Sequence, residues 1–145
     1  MADAEDVYFR INTTSLNAEE DTVLDRVAAI EPLLAASQGK MLRKKARDTN
    51  GLDANEIAYV MLGDEDIERR RIMIYKFIFE ANSKKGSAKH PIITIDLLNG
   101  ERLPMPVPEE CMPPRGLVKA SLSEAEVTNL WDLVIPSVRK RVMAF

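Results

Sequence analysis

Asn99-Gly100 is the feature that most narrows the folds open to this chain. A type I′ turn needs φ > 0 at both central positions, which Asn and Gly tolerate best. The pair therefore predicts a β-hairpin with strands over 92–98 and 101–107. A two-residue turn makes Leu98 and Glu101 a hydrogen-bonded pair, and Asp96 with Leu103 the next. Pro104 and Pro106 then fall where a missing N–H points away from the partner strand, so 101–107 is expected at a sheet edge. Five of the eight prolines lie between Pro104 and Pro114. That density predicts an extended strap over 104–116.

Outside the hairpin, helical signals dominate. Asn17 with Glu20 has capping-box spacing, followed by the apolar stripe Val23, Val27, Ile30 and Leu34, with Pro32 expected to kink or split the helix. Asp48-Thr49-Asn50-Gly51 reads as a turn. Asp53 and Glu56 suggest a short capped helix with Ile57, Val60 and Met61 inward, ended by Gly63. Over 65–82, acids in front and cations behind suit a helix macrodipole. The β-branched and aromatic run 72–79 argues for a strand instead. With no Gly or Pro dividing the two, one buried helix over 65–82 is the reading adopted. Ser123 with Glu126 is a further capping box, opening a helix over 124–143 with Val127, Leu130, Trp131 and Val134 inward and a bend at Pro136. Val7, Phe9 and Ile11 alternate with polar residues and predict a short N-terminal strand that pairs with the hairpin. The expected fold class is α+β, predominantly helical, a single domain over 1–145 with one β-hairpin.

Chemistry finds little support. His90, the one histidine, sits in a polar loop before Pro91. Cys111, the one cysteine, follows Glu109-Glu110, which disfavour a thiolate. A lone cysteine also excludes an internal disulfide and a thiolate zinc site. Asp64-Glu65-Asp66 with Glu68 lacks the spacing of a calcium loop; Glu65–Arg69 and Asp66–Arg70 are i,i+4 pairs on a helix start. No Gly-rich phosphate loop or nucleophile elbow occurs. The reading is a non-enzyme with no cofactor and no metal. No apolar run approaches the roughly 20 residues of a membrane helix, and the acidic N-terminus resembles no export signal. A cytoplasmic, intracellular protein without membrane contact is expected.

Charge is segregated. Residues 40–47 carry five cations in a chain of net charge −3, whereas the acids up to Glu31 outnumber the arginines eight to two. On a helix, Lys40, Arg43, Lys44 and Arg47 would share one face. Arg139, Lys140 and Arg141 form a second cluster. These seven residues are the candidate partner-binding set. The leading expectation is a protein–protein interaction or assembly module that docks onto a protein partner or onto itself, a viral or phage accessory or structural protein being one form. The alternative is an RNA- or DNA-binding protein using 40–47 and 139–141. The eight aromatics are sparse, and none lies among the cations of 40–47, which weakens any base-stacking mode.

Overall fold

The computed structural model describes residues 5–14, 21–65, 71–84, 86–101 and 119–139. In chain order these form β1 (Val7–Thr14), α1 (Val27–Ala36), β2 (Lys40–Ala46), β3 (Ala54–Leu62), β4 (Met73–Ala81), β5 (Ile92–Asn99) and α2 (Glu124–Val134), then a single 3₁₀ turn, Ile135–Ser137. The strands make one antiparallel sheet in the order β1-β5-β4-β3-β2. Strands β2 to β5 are a simple meander. The chain between β1 and β2 passes from one sheet edge to the other and includes α1.

Each helix covers one sheet face. Alternation along the strands places Ala54, Ala58, Phe77, Phe79, Ile95 and Leu97 on one side, where Val127, Trp131 and Ile135 pack on them. Phe77 and Trp131 meet with ring centroids 5.4 Å apart. The opposite side carries Ile57, with Tyr59 and Ile78, under Val23 and Val27. Of the stripe on the first helix, Val23, Val27 and Leu34 are buried, and α1 runs through Pro32 without a break. The Asn17–Glu20 capping box lies outside the described residues.

The molecule is mainly β, which overturns the predominantly helical expectation. Two segments expected as helices hold strands, 53–63 as β3 (Ala54–Leu62) and 65–82 as β4 (Met73–Ala81), and the basic segment weighed as a helix face is β2 (Lys40–Ala46). For β3 and β4 the reason is burial on both faces. A strand covered on two sides loses its polar alternation and reads as a continuous apolar run, which periodicity cannot separate from a helix segment. At 72–79 the β-branched and aromatic residues were the better guide. The C-terminal helix is also shorter than 124–143, stopping at Val134 before Pro136. Its capping box is present in full: Glu126 N donates to Ser123 Oγ at 3.2 Å and Ser123 N to Glu126 Oε2 at 2.7 Å.

The hairpin also needs correction. β5 has β1 on one flank and β4 on the other, so no hydrogen-bonding edge remains for 101–107. Asn99 is a fully buried strand residue without positive φ, its amide exchanging hydrogen bonds with the Leu122 backbone at 2.8 and 3.1 Å. Gly100 alone turns left-handed, at φ 112°, where a Cβ would come within 3.1 Å of the Met73 carbonyl oxygen. The two-residue turn with positive φ at both positions is instead Asn50-Gly51, at 48° and 78°, joining β2 to β3. The strap 104–116 lies outside the described residues, as do Pro104, Pro106 and Cys111. The expected N-terminal strand is present as β1, paired in register with β5 from Val7–Asn99 to Thr14–Ile92.

Candidate docking edge

The basic segment forms the outermost strand of the sheet. Gly39 admits it, because a Cβ there would lie 2.3 Å from the Val60 carbonyl oxygen. Pairing with β3 runs from Lys40–Val60 to Ala46–Asn55, with a bulge between Met41 and Arg43. Arg47 N then donates to Ala54 O at 2.8 Å. Antiparallel pairs alternate, so Arg43, Lys45 and Arg47 turn their backbone groups toward β3, while those of Lys44 and Ala46 point outward. Among the described residues no strand lies beyond them.

Side chains from this edge converge on a buried acid. Glu56 in β3 is fully buried, and its carboxylate accepts from Trp131 Nε1 at 2.7 Å and from Arg43 and Arg47 Nη1 at 3.2 Å each. Lys45 Nζ stands 3.7 Å away. Asp132 of α2 meets the same guanidinium groups, with Arg43 in bidentate contact at 2.7 and 3.0 Å and Arg47 at 3.1 Å. The Arg43 hydrogen bond holds the Asp132 carboxyl below the ordinary carboxylate range, outweighing burial, which acts the other way. Asp132 in turn raises Arg43 above its ordinary value. Burying a carboxylate costs several kcal/mol, and only convergent, well-placed donors offset it. The result is a cross-brace: α2, β2 and β3 are tied through one carboxylate. On the other face, Lys44 Nζ bonds Glu31 Oε1 of α1 at 2.8 Å.

The seven sequence candidates are therefore separated. A strand sends Arg43 and Lys44 to opposite faces, so the shared helical face does not form. Arg43 and Arg47 are braced inward, at 21% and 17% side-chain exposure. Lys40 is exposed at the head of β2. Arg139 is exposed 3.5 Å from the Ser137 carbonyl, and Lys140 and Arg141 lie outside the described residues. Sequence reasoning missed Glu56, Trp131, Asp132 and Lys45 as parts of this constellation. The available signal was Glu56 itself, the lone charge between Ala54 and Leu62, in a chain with cations to spare nearby.

Elsewhere, a shallow cleft of about 400 Å³ opens between the start of β4 and the head of α2, lined by Arg71, Tyr75, Lys119, Ser121 and Glu126. At its rim, Asp6 is buried and accepts from Ser121 N at 2.8 Å and from the Ser121 hydroxyl. His90 is exposed in its loop, its backbone N–H donating to Ser87 Oγ at 3.1 Å. Among the described residues no cluster of three His, Cys, Asp or Glu could hold a metal ion.

Residues 1–143 match the family model of the Tle cognate immunity protein 4 C-terminal domain. The chain belongs to this family. Its fold agrees with solved structures. "The crystal structure of Tle4-Tli4 complex" contains a chain that superimposes with a TM-score of 0.64 at 24% identity, over 92% of this chain and 40% of that one. The immunity protein TplEi of T6SS from Pseudomonas aeruginosa, complexed with an "L" peptide, gives 0.64 at 23% identity over 96% of this chain and 44% of that one. Its apo form gives 0.60 at 24% identity. At these identities the likeness shows a shared fold. The chain spans about two fifths of the length of the structures it matches. No curated protein matches it. Membership in an immunity-protein family supports a protein–protein interaction role for this chain and gives no support to a viral or phage structural one. The family match gives no support to nucleic-acid binding or to self-assembly.

Proposed function

We propose that this protein is an immunity domain that binds a Tle protein and protects the cell that makes both. The observation that carries the reading is the family match over residues 1–143. A relative of the same fold stands in a complex named for Tle4 and Tli4, and another in a complex with a peptide, which supports a protein as partner. The role is binding without a reaction. It asks for a rigid platform, which suits a sheet braced by a helix on each face. The arginines of the basic segment that suggested nucleic acid are engaged by the chain's own acids Glu56 and Asp132, which leaves them less available to phosphates.

The test is co-expression with a Tle protein encoded in the same genome. A stable complex on size exclusion, and survival of cells that die when they make that Tle alone, is the expected result. Free elution of both proteins together with unrelieved toxicity would sink the reading.

A further inference from the structure

The β2 edge combines three properties that nothing in the family description assigns. It offers unpaired backbone: the N–H and C=O groups of Lys44 and Ala46 point away from β3, and no described strand takes them. It carries surplus positive charge in an acidic protein. Arg43, Lys45 and Arg47 stand against Glu56 and Asp132, three cations to two carboxylates, and the exposed Lys40 adds another. Part of that charge, on Arg43 and Arg47, is also held in place. The guanidinium groups are fixed by bonds of 2.7 to 3.2 Å, and a fixed site loses less entropy when a ligand arrives.

From these we infer that β2 is the edge on which a partner docks by strand addition, and that the docking segment is an extended, acidic stretch of the Tle protein. This rests on the immunity reading and names its surface. Main-chain bonds to Lys44 and Ala46 supply register, and alternate side chains of the added strand meet the two sheet faces. Lys45, 50% exposed and with the longest ion pair to Glu56, is free to reach a carboxylate on the α2 face, with Lys40 at the end of the strand. The same cations repel a second copy of β2, which keeps the edge from pairing with itself.

The test separates backbone from charge. Ala46→Pro removes an outward N–H without touching a bond to β3, a placement that edge strands tolerate. Lys40→Glu with Lys45→Gln removes the surplus charge while Arg43 and Arg47 still serve Glu56. Ile11→Thr, on the opposite edge, is the control. Affinity for the co-expressed Tle protein is measured by calorimetry, and folding by thermal midpoint. The expected result is about a tenfold loss of affinity in each β2 variant. Midpoints should stay within about 4 °C of wild type, with the control unchanged. The charge variant should also lose the salt dependence of binding. If Ala46→Pro fails to fold, the charge variant alone decides. Wild-type affinity in folded β2 variants overturns this inference and leaves the immunity reading standing. A wild-type chain that binds no Tle protein overturns that reading and this one with it. Salt-sensitive capture of a single-stranded RNA that the charge variant abolishes would assign the edge to nucleic acid and overturn the acidic-peptide assignment.

Discussion

The two edges of the sheet are built on opposite plans. β1 pairs with β5 over eight residues without a bulge, and its only charge, Arg10, is held by Asp96 through Nε at 3.1 Å and Nη2 at 2.8 Å. Its middle residue Ile11 is 65% exposed. β2 is bulged and carries four cations in its seven residues. Charge and bulges are the devices by which sheets discourage edge pairing. β2 uses both; β1 has no bulge and a single charge, which Asp96 holds. A charged edge discriminates between incoming strands by sign, whereas a neutral edge accepts any strand with the right hydrogen-bonding groups.

The sharpest way to break this contrast is to remove the brace under β2. Glu56→Ala would leave Arg43, Arg47 and the Trp131 N–H around an empty site, and should cost about 3–5 kcal/mol in denaturant unfolding. A loss under 1 kcal/mol would mean that the carboxylate does not tie α2 to the sheet. On β1 the corresponding change is Arg10→Ala, which strands the mostly buried Asp96; about 1–3 kcal/mol is expected. If it equalled the Glu56 loss, the edges would not differ in how deeply their charges are built in.

Acid titration sharpens the contrast further. The Asp132 carboxyl is lowered chiefly by the Arg43 hydrogen bond, and Glu126 by its bond from the Ser123 backbone. A carboxylate lowered in the folded state contributes stability that is present above its unfolded value and lost as pH falls through its folded value. Stability should therefore drop below about pH 4, within the ordinary carboxylate range. Asp132→Asn should flatten that acid limb and lower stability at neutral pH by about 1 kcal/mol or less, because an ion pair with a carboxylate 38% exposed is screened by water. An unaltered acid limb would remove Asp132 from the brace. The smallest effect is expected at Ile11→Thr, within about 0.5 kcal/mol by thermal melting. The same change should reduce self-association at high concentration, measured by light scattering; no reduction would show that β1 is not an adhesive edge.

Part of the fold was legible. Val7, Phe9 and Ile11 announced a strand, Ser123 with Glu126 announced the head of α2, and Val23, Val27 and Leu34 announced a buried stripe. These are local signals whose physics closes within a few residues. β3 and β4 hid because each is covered on both faces, and the helices that cover them come from distant sequence. Of the candidate site, the concentration of charge at 40–47 was legible. Its sorting to two faces, and its meeting with Glu56 and Asp132, was not.

The two Asn-Gly pairs show the division most plainly. By itself the sequence determined that each glycine turns left-handed, because steric freedom at positive φ belongs to the residue. Whether the turn became a hairpin was decided by tertiary structure. At Asn50-Gly51 the flanking strands were free to pair with each other. At Asn99-Gly100, β1 and β4 had already taken both flanks of β5, and a strand has only two. The same holds for the cations: their number is written in residues 40–47, but their faces follow from the two-residue period of a strand, which the chain adopts only because β3 lies beside it.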